Sequence, residues 1–127
     1  MYTDTIADLL TRIRNAIQAR QDKTKAPYSR FKHDICNLLV KKNFLKGVKK
    51  IKEDHDMLEI ELGEARKFPL TFRRVSKSGQ RIYFKANEFK HIKNGLGIQV
   101  VSTSQGLMTG IEAKKLNLGG EVICEIY

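Results

Sequence analysis

The apolar residues of this chain change their spacing partway along it, and that change limits the folds open to it. Early on they recur at helical intervals. Ile6, Leu9, Leu10, Ile13 and Ile17 fall on one helical face, which predicts a helix over residues 4–20. Thr3 or Asp4 can cap it. Arg12 and Arg14 flank the stripe, and Asp8, Thr11 and Asn15 lie opposite, so a core-packing helix can show a polar, partly cationic outer face. Lys23 to Tyr28 reads as extended, because Pro27 keeps Ala26 out of the helical region. Ser29 then caps a second helix over residues 30–43, with Phe31, Ile35, Leu38 and Leu39 inward and Cys36 at the flank as a small core hydrophobe. Gly47 is expected to close the exit from that helix.

From there the period is two. Val48 to Lys52 and Met57 to Leu62 predict a hairpin in which Leu58, Ile60 and Leu62 face inward. Its turn, Glu53-Asp54-His55-Asp56, is polar and solvated. Gly63 to Pro69 separates two apolar patterns and marks a boundary, giving domains 1–63 and 64–127. Beyond it, strands over 70–76 and 81–85 are joined by the turn Lys77-Ser78-Gly79-Gln80. Asn87 to Lys93 reads as a short helical turn and Ile98 to Val101 as a strand. Thr109 and Glu112 have capping-box spacing for a short helix ended by Gly119-Gly120. Glu121 to Tyr127 is a last strand, with Val122, Cys124 and Ile126 on one face. The class is α+β: an N-terminal α/β unit of two helices on a short three-stranded sheet, then a mostly β C-terminal unit with a short helix.

No run approaches the ~20 apolar residues of a membrane span, and no signal-peptide pattern opens the chain. Two cysteines build no disulfide scaffold, which points to reduced thiols and a cytoplasmic setting. Gly95-Leu96-Gly97 lacks the third glycine of a dinucleotide fingerprint, and there is no Walker A sequence. Ser102-Thr103-Ser104-Gln105-Gly106 lacks the first glycine of a nucleophile elbow. His33, His55 and His91 form no ligand pattern. No catalytic residue, metal or cofactor is expected.

What remains is charge. The net charge is +10 over 127 residues, with nine basic and two acidic residues within 64–93. Such an excess repels itself unless a polyanion relieves it, and nucleic acid is the commonest one. Three adjacent hydroxyls, Ser102, Thr103 and Ser104, sit where a strand runs into a turn, and Gly106 allows positive φ or a close approach. They suit a phosphate, a 2′-hydroxyl or a base edge; equally, they suit a Ser/Thr turn that satisfies its own backbone. Tyr83 lies among basic residues as a stacking platform, but Tyr83 and Phe84 must point to opposite faces, so one of them belongs to the core. A stand-alone binder of RNA or DNA, a small nucleotide-dependent enzyme and a protein scaffold are the competing readings.

Several segments together resemble one family. These are Ile6-Ala7-Asp8-Leu9-Leu10-Thr11-Arg12-Ile13-Arg14-Asn15-Ala16, the stretch Arg74-Val75-Ser76-Lys77 with Gly79-Gln80-Arg81-Ile82-Tyr83, Gly95-Leu96-Gly97-Ile98 with Val101-Ser102-Thr103-Ser104, and Leu118-Gly119-Gly120-Glu121-Val122-Ile123-Cys124. In order, they resemble the bacterial small-subunit ribosomal protein number eight. The resemblance implies a primary ribosomal RNA-binding structural protein. It implies binding to an internally looped helix in the central domain of 16S RNA, with a role in subunit assembly. Carried over by position, Ser102, Thr103, Ser104, Gly106 and Tyr83 would meet irregular bases and the minor groove, joined by Lys77 and Arg81, with Glu121 supporting them. Arg12, Arg14, Asn15, Ser29, Arg30 and Lys32 would meet the RNA backbone. The implied partners are proteins five and twelve of the subunit and, in some members, the protein's own messenger RNA. Gln105, Ser78, Gly110-Ile111 and Thr5 depart from the family's usual Lys, Pro, Asp-Arg and Pro.

Overall fold

The computed structural model describes residues 2–63, 71–92 and 95–127, with side chains from Thr5 onward. The chain divides into two compact units, Asp4–Leu70 and Thr71–Tyr127. The expected boundary after residue 63 borders on residues 64–70. That stretch, with Arg66, Lys67 and the expected strand start at residue 70, lies outside the described residues, as does Lys93; the helical turn expected over 87–93 is a single short turn, Ala86–Glu88.

In the first unit, α1 (Tyr2–Gln18) carries the expected stripe: Ile6, Leu9, Leu10, Ile13, Ala16 and Ile17 are all at most 5% exposed. Because the helix runs from Tyr2, Thr3 and Asp4 lie in its first turn and do not precede it as caps. β1 (Lys23–Pro27) follows, then α2 (Arg30–Lys41), whose cap is Ser29 as expected; its hydroxyl accepts from the Lys32 N–H at 3.2 Å. β2 (Gly47–Lys52) and β3 (Asp56–Glu61) form the hairpin, and β1 joins β3 antiparallel, giving the order β1-β3-β2. Ala26, Leu58, Ile60 and Leu62 are fully covered, as are Ile35, Cys36 and Leu39 of α2. Losing one such leucine to alanine costs about 2–5 kcal/mol. Burial pushes the Cys36 thiol up to about 12, so it packs as a core group.

In the second unit, β4 (Phe72–Arg74), β5 (Tyr83–Phe84), β6 (Ile98–Thr103), β7 (Gly106–Thr109) and β8 (Gly120–Ile126) make one antiparallel sheet. α3 (Gly110–Lys115) starts on the expected box: the Thr109 hydroxyl accepts from the Glu112 N–H, and the Glu112 carboxylate accepts from the Thr109 N–H. The core holds Phe89, Val101, Ala113 and Val122, with Val75, Phe84, Met108 and Leu118 packed against it.

The expected hairpin between residues 70–76 and 81–85 does not form. Both short strands pair with β8 instead, Arg74 opposite Cys124 and Tyr83 opposite Glu121, one after the other along the same strand. Residues 75–82 leave the sheet between them. The loop is closed at its base by Ser76, a buried hydroxyl that accepts from the Ile82 N–H at 2.9 Å and donates to the Ile82 carbonyl at 3.3 Å.

The three α-helices of the described residues end alike, and α2 and α3 do not end on the glycines expected. Gln21, Phe44 and Leu118 each donate a backbone N–H to a carbonyl five residues back, at Ala16, Leu39 and Ala113. The residue just before each donor is left-handed: Arg20 at φ 55°, Asn43 at 67° and Asn117 at 57°. This is the six-to-one closure that satisfies orphan helix carbonyls. Gly47 begins β2 opposite Glu61, and Gly120 begins β8, so neither ends a helix. Asn43→Val is therefore expected to destabilise the fold by about 1–2 kcal/mol, since a β-branched side chain resists that conformation. Thermal melts of N43V beside N43G check it; the glycine variant should stay close to the parent, and an unchanged N43V melt would contradict the assignment.

Candidate nucleic-acid interface

The register of β8 decides which side chains reach solvent in the second unit. Tyr83 of β5, Glu121 of β8, Ser102 of β6 and Leu107 of β7 stand opposite one another in succession. Directly opposed residues share a face. Their neighbours Phe84, Val122 and Val101 turn to the other face, into the core, where the Phe84 ring lies 5.7 Å from Phe89. Tyr83 is thus the outward ring of the pair, 66% exposed. Gly120 lets β6 and β8 close up beside this row, because a Cβ there would collide with the Ser102 carbonyl.

Glu121 sits in the middle of the row and is 7% exposed. Its Oε2 accepts from Arg81 Nη1 at 3.3 Å, and both residues make further interactions. Arg81 is half-buried, so part of its charge is met at home. Lys77 is exposed at the tip of the 75–82 loop, where its N–H and carbonyl bond the carbonyl and N–H of Gln80 at 3.0 Å each.

The three hydroxyls divide. β6 runs through Ser102 and Thr103, and Ser104-Gln105 is the two-residue turn into β7, with Thr103 opposite Gly106. The Thr103 hydroxyl donates to the Gly106 carbonyl at 2.8 Å and accepts from the Gln105 N–H at 3.1 Å. It staples the turn, which is the self-satisfying alternative for this one residue. The hydroxyls of Ser102 and Ser104 make no hydrogen bond among the described residues. Gly106 has φ 107° with open space around it, so the turn needs its backbone freedom there. At Gly110, by contrast, a Cβ would stand 2.6 Å from the Gln99 side-chain oxygen and 3.0 Å from the Phe89 ring, which gives that departure from the family pattern a packing reason.

In the first unit Arg12, Asn15 and Arg30 are exposed and Arg14 is half-buried. Lys32 is not where the family resemblance puts it. It is 3% exposed, and desolvation lowers its ammonium from 10.5, opposed by the Asp8 carboxylate and reinforced by Arg12. The reason is helical spacing: Lys32 stands three and four positions before the buried Ile35 and Cys36, on the same stripe. The outer face of the three-stranded sheet also spends its cations internally. Desolvation raises the Glu59 carboxyl, but Lys23 and Lys49, each 3.5 Å away, together hold it below the usual range. On that face Lys25 also pairs with Glu53; Lys50, opposite the inward Leu58, pairs with Asp56 on the other side of the sheet.

Two residues escaped sequence reasoning. The helical wheel sets Asp8 apart from Arg12, yet the two pair at 2.9 Å, and their i, i+4 spacing is the signal that finds the pair. Ser76 had no local signal, since its partner Ile82 is chosen by the loop's closure. Among the described residues no three His, Cys, Asp or Glu side chains gather as a metal site would need. The second unit thus offers a flat aromatic, two hydroxyls and a carboxylate in reach of flanking cations. That set can stack an unpaired base and bond a ribose hydroxyl.

The sequence matches the family model described as Ribosomal protein S8 over residues 4–127. It is similar to proteins called Small ribosomal subunit protein uS8. The one from Thermus thermophilus is 40% identical over 138 aligned positions, covering 100% of both chains. That from Staphylococcus epidermidis is 42% identical over 129 positions and 98% of each chain. A third, from Thermodesulfovibrio yellowstonii, is 41% identical over 131 positions and 100% of each.

Two outcomes follow from the geometry. Thr103→Val should cost about 1 kcal/mol in a denaturant melt, the net value of a typical intramolecular hydrogen bond, while Ser104→Ala should leave the melt unchanged. Equal effects would contradict the division of the hydroxyls. Lys32→Met should raise the melting midpoint at pH 7. Because the folded pKa lies below the unfolded one, the unfolded chain binds more protons in the interval beneath 10.5, and the parent's stability climbs with pH there. The advantage of K32M should therefore shrink as pH approaches 10.5; a constant difference would contradict the buried charge.

Proposed function

Since this chain belongs to the ribosomal protein S8 family, we propose that it binds an internally looped helix in the central domain of 16S ribosomal RNA and supports assembly of the small subunit. The family is one of ribosomal structural proteins and not of enzymes. The observation that carries the reading is the row Tyr83, Glu121, Ser102, whose outward members are an unstacked ring and an unspent hydroxyl. Tyr83 stacks on a base released from the helix, and Ser102 and Ser104 take 2′-hydroxyls or base edges. Glu121 fixes Arg81 beside them, and Thr103 and Gly106 hold the turn that presents Ser104. Lys77 reaches phosphate, and each cation that does so adds salt-dependent affinity by releasing counterions.

The N-terminal domain, residues 1–63, contributes Arg12, Arg14, Asn15, Ser29 and Arg30 to the RNA backbone; residues 64–127 form the base-reading domain. Lys32 supports its helix and does not touch the RNA. Neighbouring small-subunit proteins, five and twelve, and the protein's own messenger RNA are further partners. The place of work is the ribosome in the cytoplasm.

Binding to a central-domain fragment and to an uninterrupted duplex, each titrated with salt, tests this. Tyr83→Ala should weaken the looped RNA by about 1–3 kcal/mol, or roughly fivefold to more than a hundredfold, and leave the duplex nearly untouched. Equal losses on both RNAs would refute selective stacking.

A further inference from the structure

The side chain of Arg12 is held at two edges. Its Nε pairs with Asp8 Oδ2 at 2.9 Å, and its Nη1 donates to the Lys25 carbonyl at 3.1 Å. Neither partner is loose. Asp8 sits one turn back on the same helix. Lys25 lies in β1, an edge strand laddered to β3 opposite Glu59, and its ammonium grips both oxygens of Glu53 at 3.0 and 3.1 Å. The Lys25 carbonyl is thus a fixed acceptor for the guanidinium.

As a contribution to stability this arrangement is minor. The ion pair is about half-exposed on both sides, and such pairs are worth little in water. Its effect is on conformation. A guanidinium is a rigid planar fork with five N–H groups, and these two bonds use two of them. Three remain, in a plane already chosen, for an acceptor with two oxygens such as phosphate. An arginine fixed before contact loses less rotamer freedom on binding.

We propose that Asp8 is a positioning residue: by holding Arg12 against the Lys25 carbonyl, it presets the fork with which this unit grips an RNA phosphate. The inference rests on the RNA-binding function above. It has a consequence that simple electrostatics reverses. Asp8 is negative and close to the contact, so neutralising it should tighten binding to a polyanion if charge alone mattered. If it positions Arg12, neutralising it weakens binding.

The test measures affinity of the full-length protein for a central-domain fragment of 16S RNA across a salt series. Asp8→Asn, Arg12→Ala and the double variant are compared with the parent. D8N is expected to lose roughly fivefold in affinity, with a salt slope reduced by about one. In the R12A background D8N should add nothing, because its effect passes through Arg12. A purely structural Asp8 would move the melt but not the slope. Asp8 also faces the buried Lys32, so D8N/K32M is measured against K32M as a second pair that leaves no buried cation uncompensated. Tighter or unchanged binding by D8N, with R12A weakened, overturns this inference alone; so does strict additivity of D8N and R12A. Unchanged binding by R12A overturns it together with the assignment of α1 to the RNA surface.

Discussion

One extra residue in β8 sets the faces of the second unit. Against β6, Cys124 stands opposite Val100 and Val122 opposite Val101, so Ile123 is a bulge with no partner of its own on that side. In an unbroken strand Glu121 and Glu125, four apart, would share a face. Across the bulge they face Ser102 and Gln99, which are three apart on β6 and point to opposite sides. Glu125 accordingly joins Arg73 and Gln99, at 3.2 and 3.3 Å, while Glu121 joins Tyr83 and Ser102. The bulge also feeds the loop. The Ile123 carbonyl accepts from the Val75 N–H at 3.0 Å where the chain leaves β8, and the Val122 N–H donates to the Ile82 carbonyl at 2.9 Å where it returns. Lys77, Arg81 and Tyr83 hang from this one irregularity.

The charge of the chain sorts itself in a related way. A net charge of +10 invites the view that every lysine is a contact for RNA. Several are already engaged. Lys23 and Lys49 share Glu59, Lys25 takes Glu53, and Lys32 is covered. Exposed pairs such as these add little stability, but they lower the field of the sheet face that carries them. Lys77 stands in solvent at a loop tip, and Arg81 is aimed from beside the exposed tyrosine by a carboxylate. Placement rather than number is what gives the basic excess a direction.

How much of this was legible in the letters depends on how far each choice reaches. The α1 stripe and the Leu58, Ile60, Leu62 alternation are local patterns, and burial follows them residue for residue. The caps at Ser29 and Thr109 were equally local. Gly47 and Gly119-Gly120 are the helix exits the letters suggest, but Asn43 and Asn117 tolerate the left-handed turn and come sooner. Arg20 has no such excuse of type, and only the closure around it accounts for its conformation. The hairpin over 70–85 fails because its strands prefer a partner roughly forty to fifty residues away, which no local turn signal records. The same distant strand chose Tyr83 over Phe84 for the surface. Lys32, expected at the RNA backbone by position in the family, is covered because it stands on the buried stripe of its helix.

The central claim is that the Ile123 bulge turns Tyr83, Ser102 and Glu121 together toward RNA. Backbone amide shifts recorded while a central-domain 16S fragment is added test it most directly. The account predicts that the largest changes fall at Tyr83, Ser102, Ser104 and Glu121, with α3 nearly silent. Changes centred on α3 and the Arg73, Gln99, Glu125 face, with that row silent, would contradict it.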